Sequence, residues 1–116
     1  MVKRRKSKVA PPPAAYPLRE CARLLAGAWA VDVIWYLREG ERCFTELQYD
    51  LQGVSAKMLT ARLRSLEREG VVERITKSTN PPTVWYALTA AGQELGGALK
   101  NVVEIAQRLK RAATGV

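Results

Sequence analysis

Histidine is missing altogether from this 116-residue chain. That absence excludes Ser-His-Asp triads, Cys-His dyads and His-ligated metal centres. Cysteine is nearly missing too. Cys21 and Cys43 are the only two, too few for a zinc site within one chain, so no metal and no cofactor is expected. Each cysteine reads either as a small buried hydrophobe or as a redox-active thiol, and the residues leave both open. No phosphate loop is present, and the chain is not expected to be an enzyme. Long apolar runs are also lacking. The longest, Leu24 to Leu37, is interrupted by Asp32 and is shorter than the ~20 residues that span a bilayer. No apolar leader follows the basic N-terminus, where Pro11-Pro12-Pro13 stands instead. A cytoplasmic protein with no membrane partner is expected.

Acidic residues are outnumbered, eleven against nineteen lysines and arginines, for a formal net charge of +8. Lys3, Arg4, Arg5, Lys6 and Lys8 concentrate five positive charges at one end, and without them the balance falls to fourteen basic and eleven acidic residues. Residues 1–15 are therefore expected to form a disordered basic arm with a stiff Pro-rich spacer, ahead of one folded domain over residues 16–112. The arm reads equally as a phosphate-neutralising element and as a solubilising tail. The hydrophobic fraction of 47% is that of an ordinary globular domain.

The periodicities predict a mainly α domain with a small β-hairpin (α+β). A first helix begins at Pro17, with Leu18, Cys21, Ala22, Leu24 and Leu25 on one side, and Gly27 breaks it. A second, from about Ala28 to Leu37, is apolar nearly all round and is expected to be the buried centre. Cys43-Phe44 reads as a short link or strand. Thr45 is expected to cap a brief helix through Leu51, and Gln52-Gly53-Val54 a turn. Val71–Thr76 and Val84–Leu88 are strand-like, and 77–83, with Asn80-Pro-Pro82 inside it, is the loop between them. Thr89 is expected to cap a last helix in which Leu95, Leu99, Val102, Val103, Ala106 and Leu109 recur. That helix is longer than a three-helix core needs, so its surplus apolar surface predicts a second copy of the chain.

The most informative segment is Ser55 to Gly70. At 100° per residue, Leu59, Leu63 and Leu66 form one stripe, and Lys57, Thr60, Ala61, Arg64 and Arg68 the opposite one, with no acid among them. A small, cationic helix face suits a DNA major groove. With Ser55 and Met58 it makes the candidate reading surface. A short helix, a glycine turn and this longer helix form a helix-turn-helix, and the hairpin after it makes a winged helix-turn-helix. Arg74, Lys77, Ser78, Thr79 and Asn80 are then the candidate backbone contacts of the wing. Two other readings stay open: a non-specific architectural DNA-binding protein and a protein-interaction module. Trp29, Trp35, Tyr36, Trp85 and Tyr86 are candidates for an aromatic effector pocket between helix and wing, with core packing as the alternative.

The chain resembles the HxlR family of winged-helix regulators, relatives of the MarR type. The matching residues are Leu25-Ala-Gly-Ala-Trp29, Phe44-Thr-Glu-Leu47, Gly53-Val-Ser-Ala-Lys-Met-Leu-Thr60, Leu63-Arg-Ser-Leu-Glu-Arg-Glu-Gly70, Val72-Glu-Arg74 and Pro82-Thr-Val-Trp-Tyr-Ala-Leu-Thr89 with Gly92. The resemblance implies a homodimer, held by the first and last helices, on a pseudo-palindromic operator in double-stranded DNA. It implies that Ser55, Lys57, Met58, Thr60, Ala61 and Arg64 lie at the groove, and that nearby genes are repressed or activated. Many members carry a cysteine just before the Pro of the first helix, and some use it to sense electrophiles or oxidants. This chain has Tyr16 there, so that role does not carry over to Cys21.

Overall fold

The computed structural model describes Ala10 and residues 18–113 of the chain. Eight elements follow one another: α1 (Leu18–Ala26), α2 (Ala30–Leu37), β1 (Arg42–Cys43), α3 (Phe44–Asp50), α4 (Ala56–Arg68), β2 (Val72–Lys77), β3 (Thr83–Leu88) and α5 (Ala90–Ala113). The three strands form an antiparallel sheet in the order β1-β3-β2. Helices with a small hairpin are the expected class. The third strand adds an edge that pairs Arg42 with Tyr86 and Cys43 with Trp85.

One core joins these elements: Val33, Ile34 and Leu37 from α2, Leu47 from α3, Leu51 and Val54 from the turn, Leu59, Leu63 and Leu66 from α4, and Val71, Val72 and Leu88 from the sheet. A fully buried Leu, Ile or Val contributes about 1.5–3 kcal/mol, so these positions carry most of the stability. α2 is less enclosed than its composition predicts. Ala30, Val33, Ile34 and Leu37 are buried, but Val31 and Trp35 are only half-buried and Asp32 and Tyr36 are exposed.

Three boundaries differ from the sequence expectation, each for a local reason. α2 starts at Ala30 because Trp29 takes a left-handed conformation (φ 69°), which ordinary residues adopt only when tertiary contacts hold them. The side chain of Arg62 supplies that hold, its Nε donating to the Ala28 carbonyl at 2.7 Å. Its guanidinium fills the space beside Gly27, where a Cβ would stand 2.4 Å from Nη1. α3 starts two residues early, with Cys43 rather than Thr45 at its cap. The wing loop is 78–82, because Lys77 and Thr83 still pair in the ladder.

The far end of the domain is closed by the start of α5. Thr89 caps it as expected: its Oγ1 accepts from the Gly92 N–H (3.0 Å) and donates to the Gly70 carbonyl (2.5 Å). The Thr89 N–H donates to the Val71 carbonyl at 3.0 Å. Gly92 is required by this approach, since a Cβ there would lie 2.1 Å from the Val71 oxygen. Gly92→Ala is accordingly expected to cost about 1–3 kcal/mol, the range for forcing an extra methyl into a packed contact. A urea unfolding curve with a lowered midpoint and unchanged slope checks it.

Candidate nucleic-acid interface

α3 and α4 stand on a five-residue turn in which Leu51 and Val54 are buried and Gly53 has φ +93°. Ser55 caps α4, its Oγ accepting from the Met58 N–H at 3.0 Å. Leu59, Leu63 and Leu66 are buried beneath it. On the opposite side Lys57, Ala61, Arg64 and Arg68 are exposed and Thr60 half-buried; Met58 is exposed on the flank. None of Lys57, Arg64 and Arg68 forms a hydrogen bond or ion pair with a described residue. The helix therefore presents three free cations on a narrow face, with Glu67 and Glu69 exposed near its end.

The cations of the sheet side are treated differently. Arg42 is held between β1 and α3: Nε lies 2.6 Å and Nη2 3.2 Å from the two Asp50 carboxylate oxygens, and Glu46 is 3.8 Å away. One hydrogen bond, from Nη2 to Oδ1, stands beside the closer Nε–Oδ2 ion contact and joins β1 to α3. Lys77 is bonded to Glu41 and stands 4.0 Å over the Trp85 ring. Its ammonium is thus engaged inside the domain rather than offered at the wing tip. Thr79 is engaged as well, its hydroxyl donating to the Pro81 carbonyl (2.6 Å) and lying 3.1 Å from Thr83 Oγ1. Ser78 and Asn80 at the tip and Arg74 on β2 are exposed. The wing consequently offers fewer free donors than its sequence implies.

α3 adds a row that the sequence reading passed over. Thr45, Tyr49 and Gln52 are exposed at steps of four and three, opposite Leu47 and Leu51, and Tyr49 is 78% exposed. In helix-turn-helix proteins the first helix crosses the DNA backbone, and hydroxyl and amide side chains are common phosphate donors. The alternation of these residues with Leu47 and Leu51 was a usable signal, obscured by assigning Thr45 to the cap. Arg62 was missed because its partner, the Ala28 carbonyl, is 34 residues away.

Other candidates fall elsewhere. Lys3, Arg4, Arg5, Lys6 and Lys8 lie outside the described residues, as does the side chain of Cys21. Cys43 is half-buried at the start of α3, its Sγ 3.3 Å from Thr45 Oγ1. The five aromatics do not form a pocket between helix and wing. Trp29 sits at the α1–α2 corner, Tyr86 packs on the core and Trp85 lies beneath Lys77. Trp35 and Tyr36 instead face α5. Among the described residues no acid or cysteine cluster suited to a metal ion occurs, and no helix is long and apolar enough to cross a membrane.

A helix-turn-helix followed by a two-stranded wing defines the class, a winged helix with a cationic face on α4. A family model described as HxlR-like helix-turn-helix matches residues 24–113, and the chain belongs to that family of DNA-binding transcription regulators. It is 36% identical over 92 residues to the uncharacterised HTH-type transcriptional regulator YtfH of Escherichia coli, spanning 77% of this chain and 73% of that one. Among solved structures, ytfH from Salmonella typhimurium matches with TM-score 0.71 and 30% identity over 85% of this chain and 89% of that one. A MarR-family protein from Enterococcus faecalis V583 matches with TM-score 0.81 and 25% identity, over 95% of this chain and all of that one.

The entry to α3 makes a pH-dependent contribution. The Cys43 N–H donates to Glu46 Oε1 at 3.1 Å. That bond first, and the Cys43 side chain next, hold the Glu46 carboxyl below its ordinary 4.5; partial desolvation opposes them, and the charges of Arg42 and Lys77 reinforce them. With the folded-state pKa lowered, this stability is complete above the ordinary value and is lost as pH falls through the lowered one. Glu46→Gln is expected to unfold at lower urea than wild type at neutral pH. The gap should close in acid below 4.5, and parallel urea titrations at both pH values check it.

Proposed function

We propose that the protein is a homodimeric, sequence-specific DNA-binding transcription regulator of the cytoplasm that places residues 56–69 in the major groove and flanks them with the wing. The observation that carries this reading is the free cationic face of α4, free of acids, on a helix whose other side is anchored in the core. Arg64 and Lys57 are assigned to base edges or phosphates. Thr60 and Ala61 are small enough to approach a thymine methyl, and Thr45, Tyr49 and Gln52 lie where the first helix meets the backbone. Arg74, Ser78 and Asn80 are assigned to the flanking phosphates. The function needs no bond-making chemistry and no cofactor.

A second copy is supported by α5. Its 24 residues extend about 36 Å and carry two apolar stripes. Leu95, Leu99 and Val103 are half-buried against the domain, whereas Val102, Ile105 and Leu109, on the adjoining face toward the C-terminal end, are 59%, 42% and 66% exposed. A two-fold axis along the second stripe buries it and sets the two reading helices one DNA turn apart, roughly 34 Å, or a multiple of it. Leu109→Glu is expected to convert a dimer into a monomer in light scattering, with the domain's unfolding midpoint little changed because Leu109 makes no core contact. A monomeric wild type would remove the two-fold reading.

DNA reading is tested by selection from a randomised duplex pool at about 150 mM salt, where exposed charges are screened beyond ~8 Å. Enrichment of an inverted repeat is expected. Recovery of unrelated sequences, with affinity collapsing as salt rises, favours a coating protein instead. On the selected site Arg64→Ala is expected to lose about 1–3 kcal/mol at one base pair and relax preference there. Equal weakening on every sequence would make Arg64 a phosphate contact.

A further inference from the structure

α2 has a second face that the core does not use. Val31, Asp32, Trp35 and Tyr36 look across at Leu99 and Val103 of α5, and the six residues line a groove of about 200 Å³. A dry cavity of ~150 Å³ is enough for one benzene ring, so the groove admits a small substituted aromatic. The two helices approach closely at one end, where a Cβ on Gly96 would stand 2.9 Å from Arg38 Cγ. Leu99 and Val103 lie one and two turns further along α5, where the groove is open. It adjoins the exposed stripe of Val102, Ile105 and Leu109 through the Val102–Val103 segment of α5, and its lining includes none of those three residues.

The lining is apolar apart from two features. Trp35 and Tyr36 present ring surface, and Trp35 already accepts a cation, the Arg38 guanidinium 4.5 Å over its centroid. Asp32 carries the one formal charge of the lining, is exposed, and forms no hydrogen bond or ion pair with a described residue. Arg38 itself is not part of the lining. Aromatic faces beside a free carboxylate are the chemistry that holds an organic ammonium. An anion would meet Asp32 with like charge. A neutral guest would strip water from the carboxylate without compensation.

We propose that the α2–α5 groove binds a small organic cation, a substituted ammonium with an apolar body. Its charge lies between Asp32 and the Trp35 and Tyr36 rings, and its hydrocarbon rests on Val31, Leu99 and Val103. α2 also packs on α3 and α4, so a guest wedged between α2 and α5 shifts the reading helices against the helix that carries the exposed stripe. That regulatory sense rests on the proposed DNA reading and dimer; occupancy of the groove does not.

The test is a calorimetric and tryptophan-fluorescence titration of the full chain, without DNA, using benzyltrimethylammonium and benzoate as probes. Saturable binding of the cation at one site per chain is expected, with benzoate not binding. Asp32→Asn is expected to weaken the cation roughly fivefold, the scale of one lost charge pair in water-exposed surroundings. Val103→Trp, which fills the groove, is expected to abolish binding. No saturation, equal affinity for Asp32→Asn, or preference for benzoate overturns the site. Should Val103→Trp fail to fold, the surface change Asp32→Asn still decides. Repeating the titration on the DNA complex separates the two levels. Operator affinity that does not move at saturation removes regulation while leaving the site, whereas absent operator binding with an intact titration counts against DNA reading alone.

Discussion

The carbonyl of Val71 is the point on which the domain is assembled. It receives the Thr89 N–H, lies 3.2 Å from the Thr89 hydroxyl, and leaves room above it for nothing larger than Gly92. The carbonyl ties the entry of the wing to the first turn of α5, and the Val71 N–H, donating to the Leu66 carbonyl at 2.9 Å, ties both to the end of α4. Gly70, with φ +78°, turns the chain from α4 into that corner, as glycine does beyond a helix C-terminus. The direction in which α5 leaves is thus set relative to α4. If two copies join along α5, the separation of their α4 helices follows from this corner.

Paired and unpaired cations occupy different parts of the surface. Arg42 and Lys77 are paired with Asp50 and Glu41, which occupies their charge within the domain. Arg62 is committed to a backbone carbonyl that stabilises the strained entry to α2. Lys57, Arg64 and Arg68 have no such duties. Exposed ion pairs contribute little stability, so leaving these three unpaired costs the fold almost nothing. It keeps their full charge available to a polyanion, where each neutralised phosphate releases a counterion.

Much of the architecture was legible along the chain. The leucines at 59, 63 and 66, the caps at Ser55 and Thr89 and the helix stop at Gly70 appear where local periodicity and capping chemistry put them. The strand pair around Asn80-Pro-Pro82 was legible because proline cannot continue a ladder. What was misread depended on partners far away. The start of α2 was displaced by a contact from Arg62. The cap of α3 moved to Cys43, whose N–H finds Glu46. The aromatics were grouped by residue type, but strand register and helix phase sent Trp85 beneath Lys77 and Trp35 and Tyr36 toward α5.

The sequence alone determined the element types, the two-sided character of α4 and the charge available for a nucleic acid, because these follow from residue spacing on a regular helix or strand. Only the tertiary structure decided which cations remain free, how closely α5 approaches Val71 and where α2 and α5 leave a groove. Those depend on distances between segments far apart along the chain, such as Val31 and Val103 across the groove, and on the volume left between packed helices, neither of which periodicity encodes.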